Sequence, residues 1–488
     1  MGIKRKIAAA LTLATLISTT GTTACNLIVP ENTGKTEKTV KPASVVDDLF
    51  PTGDKEYFIP FQDPDKSYCT ITEGLGTPVR EQGMGGCYCY AAVSSMESNY
   101  LKTKGKKIDI NPVDIINRIY SAPDPVSGEV PSHDEEKYYA DRGPVTDLGG
   151  DINLVAGALC SDPLNGYLVS EANIYGCYNC DTPGLYEVSE DEIKSILKNN
   201  GAIGFCVNYT KDCKMVNGYY TQNHPNNAKD CNHVATLVGW DDDFPADCFK
   251  IPASRNGAWL VQNSFGEIWG NNGYYWVSYE TPIPEIYNCS VTKDYVSAVS
   301  YGKYPTVTVM SPDVIEKTGR DINDTSITLN DVASLSKVEY ATIFEQKGNV
   351  GAVGFWTDAP GTPYEILILD GEFGNVLASS SGTIEYAGYH TVKLDKPVSV
   401  KKYTVVVKTA GIGMFEGWAR PAKIGTILGN VDGHYEAKSE PGRSFVKVGE
   451  DWVDVTDRDI KSRLGYDGIP AYNSFTTPGD PCITVLYV

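Results

Sequence analysis

Histidine is scarce in this chain. There are five in 488 residues, His133, His224, His233, His390 and His434, so few positions offer a base that works near neutral pH. His133, His224 and His434 lie in polar, loop-like stretches, and His390 has no amide-ended strand after it. Positive charge is also in short supply, with 42 Lys and Arg against 62 Asp and Glu and a net charge of −20. Such a surface repels nucleic acid and anionic membranes, so neither is an expected direct partner. Metal-ligand spacing is missing as well. Cys177-Tyr178-Asn179-Cys180 has no second cysteine pair and no neighbouring histidine, which favours a structural disulfide over zinc. No metal or other cofactor is expected, and the acidic turn Asp241-Asp242-Asp243 is either a calcium-binding loop or a solvated turn.

What is present is more telling. Gln82-Gly83-Met84-Gly85-Gly86-Cys87-Tyr88-Cys89-Tyr90-Ala91-Ala92 has the composition of a glycine-rich turn that delivers a cysteine to the start of a helix. N–H groups at a helix N-terminus favour a thiolate over a thiol, and the thiolate is the nucleophile. Asn232-His233-Val234-Ala235-Thr236-Leu237-Val238-Gly239-Trp240 reads as a buried strand that begins at the histidine. Trp259-Leu260-Val261-Gln262-Asn263-Ser264-Phe265-Gly266 is an apolar strand ending in an amide, followed by the aromatic, glycine-rich Trp269-Gly270 and Gly273-Tyr274-Tyr275. Nucleophile, base and a group that orients the base are the parts acyl transfer requires.

In that order the three segments resemble the papain family of cysteine peptidases. Cys87 to Ala92 is similar to the family's Cys-Trp-Ala-Phe-Ser/Ala-Ala, with Glu97 placed like the acid that closes its helical motif. His233 to Gly239 resembles His-Ala-Val-x-x-Val-Gly, and Asn263 to Tyr274 resembles Asn-Ser-Trp-Gly…Trp-Gly-x-x-Gly-Tyr. The interval from Cys87 to His233 falls within the roughly 130–150 residues common in this family. The resemblance implies that Cys87 attacks the scissile carbonyl, His233 exchanges its proton, and Asn263 orients the imidazole. It implies that Gln82 donates to the oxyanion, that Trp269 covers the His–Asn contact, and that Gly149 and Gly150 bind the backbone of an extended substrate. The turn is one residue shorter than the family's, which leaves Cys87 and Cys89 as candidate nucleophiles. Tyr88, Tyr90 and the ten-residue step to Glu97 favour Cys87.

Residues 1–24 read as a secretion signal, with Lys4, Arg5 and Lys6 ahead of an apolar stretch from Ile7 to Ile17 that is too short to span a bilayer. Thr22-Thr23-Ala24-Cys25 is similar to a bacterial lipoprotein cleavage site, which makes Cys25 the expected point of lipid attachment. Ordinary signal-peptidase cleavage is the alternative. Residues 25–56 are polar and aperiodic, a flexible tether. The expected location is outside the cell, on the outer face of the membrane, where thirteen cysteines point to disulfides. With Cys25 and Cys87 set aside, an odd number remains, and Cys89 is the expected free thiol.

Residues 57–300 are expected to form an α+β, two-lobed papain-like unit, and residues 301–488 an all-β sandwich. The second part shows short strands at Val350–Trp356, Tyr364–Leu369, Tyr389–Leu394 and Tyr403–Val407, separated by turn residues. Val353-Gly354-Phe355-Trp356-Thr357, Glu385 to Thr391, Val405 to Lys408 and Gly442-Arg443-Ser444-Phe445 resemble the lectin-like domain that follows the peptidase in some bacterial papain-family proteins. That resemblance implies a glycan or cell-wall ligand, or a domain that only braces the enzyme. The leading functional expectation is an exported cysteine endopeptidase acting on proteins or peptides. The other is an inactive papain-like surface binder or adhesin.

Overall fold

Helix α1, Cys87–Lys104, begins directly after Gly86 and ends at Gly105, whose N–H closes on the Leu101 carbonyl at 2.9 Å. Lys102 and Lys104 sit in its last turn, where the helix dipole favours cations. Every residue from Cys87 to Asn99 is buried, so this helix is central and carries no solvent face over most of its length. Several of its polar residues are paired. Ser98 donates to the Leu75 carbonyl and accepts from Ala202 N–H, both at 2.9 Å. Around α1 pack α2 (Pro112–Ile119, capped by Asn111), α3 (Ile152–Cys160, capped by Asp151) and α4 (Glu190–Asn200, opened by a Ser189/Glu192 capping box).

The computed structural model describes residues 58–488 except 84, 124–136, 142, 181–185, 211–212, 226–230, 318–331, 418, 427–428, 436, 438 and 467–477. The expected signal peptide, Cys25 and all of the tether lie outside the described residues. Among the described residues, no helix is long and apolar enough to cross a membrane.

Helix α1 packs on β2 (Ile203–Val207), β3 (His233–Asp241) and β6 (Ile283–Thr292), which are joined by β1 (Leu168–Tyr178), β4 (Ala258–Gln262) and β5 (Tyr274–Ser278). They run β1-β6-β2-β3-β4-β5 in one sheet. The sheet does not stop there. Downstream of β7 (Ser297–Ser300) come β8 (Gly348–Thr357), β9 (Ala387–Val400) and β10 (Thr484–Tyr487). β9 lies against β1, pairing Gly388 with Asn173 and His390 with Glu171, and β7 pairs with β10. The two halves thus share one hydrogen-bonded sheet of thirteen strands.

The second half is a sandwich. A six-stranded sheet contains Lys337–Phe344, Thr362–Asp370, Val376–Ile384, Tyr403–Ala410, Ser444–Val448 and Asp451–Asp454. It packs on β8 and β10 through Tyr340, Phe344, Ile366, Ile368, Val405 and Val407 against Val353, Phe355, Ile483 and Val485. The chain is therefore an α+β two-lobed unit followed by an all-β sandwich. Phe355, Trp356 and Tyr389 are buried, and Tyr386 lies edge-on to Tyr175 of β1, with centroids 4.7 Å apart.

No disulfide joins the described cysteines. Most of them fill core space as small apolar groups in separate clusters, Cys160, Cys289 and Cys482 in one, Cys213 in another, Cys69 and Cys248 in a third. Cys177 and Cys180 do meet, through a hydrogen bond between thiols. The acidic turn is spent on internal contacts. Asp241 accepts from Phe61 N–H at 2.7 Å and Asp243 N–H at 3.0 Å, Asp242 pairs with Lys194 at 2.6 Å, and Asp243 pairs with Lys66 at 3.0 Å.

One buried acid works against the fold. Asp358, just past β8, is 6% exposed, and neither carboxylate oxygen has a hydrogen-bond partner among the described residues. Burial pushes its carboxyl up to about 8. Between the ordinary carboxylate range and pH 8 the folded chain then holds a proton that the unfolded chain releases, so stability falls as pH rises through this window. Asp358→Asn is expected to raise Tm at pH 8 and to flatten the dependence of Tm on pH between 5 and 8, read by calorimetry.

Candidate active site

The site is assembled where the start of α1 meets the starts and ends of three strands. Cys87 is the first residue of α1 and 7% exposed. Cys89 is fully buried, and burial pushes its thiol well up, so it faces the core and cannot present a thiolate to a substrate. His233 opens β3 and Asn263 follows the last residue of β4. Their side chains meet at 2.7 Å, His233 Nε2 to Asn263 Oδ1. The Ser264 N–H donates to the same Asn263 atom at 2.8 Å. That atom is therefore the amide oxygen, and Nε2 of His233 carries the hydrogen. In this tautomer the lone pair lies on the other ring nitrogen, Nδ1.

Gln82 is held from two sides. Its backbone N–H donates to the Ser264 carbonyl at 2.8 Å, and its Oε1 accepts from the Ser264 hydroxyl. With Oε1 occupied, the Nε2 end of Gln82 is the end available to donate. Two further links clamp the segment before the helix to the loop after β4: Gly266 N–H to the Arg80 carbonyl at 3.1 Å, and a bridge between Glu81 and Phe265. Arg80 also pairs with Glu97 at 2.6 Å, and Glu97 accepts from Ile110 N–H at 3.0 Å. Glu97 ties α1 to the segment ahead of it. Its carboxyl is raised, because burial outweighs the Arg80 contact.

An aromatic wall surrounds the imidazole. The ring stacked on His233 is Phe265, 5.0 Å away at 30°. Trp269, expected to cover the His–Asn contact, stands edge-on against Phe265 at 5.3 Å, and Tyr209 contacts His233, Phe265 and Trp269. Phe265 takes the nearer place because it follows Asn263 within two residues and turns back over it. The glycine pair has close internal neighbours. The Gly149 carbonyl accepts from Tyr120 OH at 2.5 Å, and a Cβ on Gly150 would lie 2.7 Å from the Tyr88 ring. Sequence reasoning missed Ser264 and Phe265 as positioning groups, although both sit in the quoted Asn-Ser-Phe-Gly run.

Chemically, a cysteine at a helix N-terminus, an imidazole fixed by an amide oxygen and a side-chain amide donor can perform acyl transfer through a thioester. Two family models match this chain. The papain family cysteine protease model covers residues 152–299, and the lectin like domain model covers 326–464. The chain joins a papain-family cysteine protease domain to a lectin-like domain. His233 and Asn263 fall inside the first match, while Gln82 and Cys87 precede it.

Among curated proteins, the oryzain gamma chain of Oryza sativa subsp. japonica is 25% identical over 215 residues, which is 42% of this chain and 52% of that protein. The viral cathepsin of Heliothis zea nuclear polyhedrosis virus is 22% identical over 210 residues, 41% and 48% of the two chains. This chain thus spans about half the length of these relatives. A clostridial cysteine protease, Cwp84 after propeptide cleavage, shares the fold with a TM-score of 0.60 at 18% identity, over 86% of this chain and 98% of that one. A structure of the cysteine protease and lectin-like domains of Cwp84, a surface layer associated protein of Clostridium difficile, gives a TM-score of 0.58 at 18% identity over 86% and 88%.

Proposed function

We propose that this protein is an exported cysteine endopeptidase that hydrolyses peptide bonds of proteins or peptides through Cys87, His233 and Asn263. The observation that carries the reading is the 2.7 Å bond from His233 Nε2 to Asn263 Oδ1 beside a helix that begins with Cys87. The Cys87 sulfur adds to the scissile carbonyl carbon and forms a C–S bond. Negative charge gathers on the oxygen, where the Gln82 amide and the Cys87 N–H donate. The intermediate collapses, the C–N bond breaks, and the amine leaves with a proton from His233. Water, losing its proton to His233, then attacks the thioester and releases the acid and the thiolate. Asn263 keeps the imidazole in one tautomer throughout. These residues need no metal or other cofactor for this chemistry.

The reading extends to an extracellular location, with a lipid on Cys25 holding the enzyme to the outer face of the membrane. The lectin-like half is the expected contact for a cell-wall or glycan ligand, in keeping with its family match. Titration of the full chain with a thiol-directed epoxide tests the catalytic part. One equivalent on Cys87 is expected, together with cleavage of an unfolded protein under reducing conditions. A chain that takes no label and cleaves nothing is an inactive binder. Mass spectrometry of the mature N-terminus tests the anchor, and an unmodified start refutes it.

A further inference from the structure

Two sulfurs meet at the start of the strand that carries His233. β2 and β3 run antiparallel, with Cys206 opposite Val234 and Val207 opposite His233. Alternation puts Phe205 and Val207 in the core behind the sheet, whereas Cys206 and Val234 belong to the cluster that contains Cys87. On that side Cys206 Sγ also lies 3.9 Å from Glu285 Oε1 of β6. Continued straight, the ladder would set residue 231 opposite residue 209. Instead the chain leaves the ladder before His233, and Cys231 packs against the cluster that holds Cys206. The Cys231 thiol donates to the His233 carbonyl at 3.4 Å, and the Cys206 thiol hydrogen-bonds the Cys231 sulfur.

Both sulfurs are held between fixed segments. On one side lies the β2–β3 ladder itself. On the other, Tyr209 N–H donates to Asn232 Oδ1 at 2.8 Å, and Asn232 Nδ2 donates to Asn208 Oδ1 and the Tyr209 carbonyl, both at 2.9 Å. The residue after Cys231 is thus tied to the two residues after β2, and a bond between the sulfurs needs no movement of either strand. Access differs between the two thiols. Cys206 is 6% exposed, while Cys231 is half-buried and open to a small reagent. The residues between them would form a closed loop, and cross-links across loops of this size restrict the unfolded chain.

We propose that Cys206 and Cys231 are an oxidisable pair that closes to a disulfide, a clamp fastening β3 and its His233 to β2 while Cys87 stays reduced. The pairing does not depend on the peptidase reading, but its closure in life rests on the proposed export, since disulfides persist outside the cell. The oxidant is a small-molecule disulfide such as oxidised glutathione. Cys231, the outer sulfur, loses its proton and attacks that disulfide, so its S–S bond breaks and one small thiolate leaves. Cys206 then loses its proton, attacks the Cys231 sulfur of the mixed disulfide and expels the second small thiolate. Two protein thiols are oxidised, one small disulfide is reduced, and the two protons end on the two small thiols. The hydrogen bond to Cys231 and burial push the Cys206 thiol well up, so Cys206 is the sulfur that acts second.

The test uses the full chain, held in a glutathione redox buffer, alkylated, and digested without reduction for mass spectrometry. A peptide linking Cys206 to Cys231 is expected, with Cys87 alkylated in the same sample. The oxidised chain should melt roughly 5 °C or more above the chain reduced with a phosphine. Cys231→Ala should lose the link and close that gap, and so should Cys206→Ala. The first of these alters a half-buried residue, so it serves if the second fails to fold. The same link in Cys87→Ala, which lacks the nucleophile, keeps the result separate from the peptidase reading, which epoxide labelling of wild type tests alone. Alkylation of both Cys206 and Cys231 after oxidation overturns the proposal, as does a link from either to Cys87 or to another cysteine. A linked chain that melts no higher than the reduced one, or a gap that persists in Cys231→Ala, overturns the clamp.

Discussion

Cys87→Ala is expected to lower peptide hydrolysis by about 10⁴-fold or more, since loss of a nucleophile leaves only binding and oxyanion contacts to speed the reaction. The fold should survive. Cys87 occupies the first turn of α1, is 7% exposed, and loses only a sulfur at the cleft surface, a change worth about 1 kcal/mol or less. Cys89→Ala is the informative partner. Its sulfur is fully buried beside the cleft helix, so the variant should lose stability by roughly 1–2 kcal/mol while keeping kcat/KM. Rates on a fluorogenic peptide, epoxide uptake by mass spectrometry and thermal melts separate the outcomes. Label retained in Cys87→Ala and lost in Cys89→Ala would transfer the nucleophile to Cys89, against the burial of that thiol.

Gly388→Ala is expected to break the joint between the two halves. Gly388 has φ near 116°, a region closed to residues with a Cβ, and a Cβ there would stand 1.9 Å from the Ala172 carbonyl oxygen. The residue pairs with Asn173 in the ladder that ties β9 to β1, so the strands cannot separate locally to make room. A loss on the order of 4 kcal/mol, a fall in Tm of roughly 10 °C, is expected. Gly371→Ala is the control. Its φ is 55° and nothing lies within 4 Å of the added carbon, so only about 1 kcal/mol of backbone strain is expected. Because the strands belong to one sheet, protease resistance of residues 58–300 and 332–488 should fall together in Gly388→Ala. Loss confined to the second half would mean that the shared ladder carries little of the stability.

The chemistry at the site was legible because each role demands a particular side chain at a particular kind of place. A cysteine after a glycine turn, a histidine opening an apolar strand and an asparagine closing one are local patterns, and the structure brings His233 and Asn263 into contact. Strand cores were legible for the same reason. The expected Ala258–Gln262 coincides with β4, and Tyr403–Val407 lies inside Tyr403–Ala410. What escaped has no local signature. Val376–Ile384 is serine-rich and mostly exposed at the sheet edge, so no apolar alternation announced it. Glu285 looks like any surface acid until register turns it towards Cys206. The pairing of β9 with β1 joins segments far apart in the chain, a match that short-range pattern does not encode. Cysteine number suggested cross-links, and two thiol pairs, Cys177 with Cys180 and Cys206 with Cys231, do come into contact.

The pairing of β7 with β10, Ser300 opposite Thr484, also sets a timetable. Contacts of such wide sequence separation form late and slowly. A chain emerging from the ribosome or a translocation pore can build α1 and bring β3 beside β4 early, but β7 must wait for the strand that flanks it. During that interval the β7 edge and the flank of β1 meant for β9 are open to other chains. The enzyme half should therefore depend on a chaperone, or on rapid completion of synthesis, until its partner strands arrive.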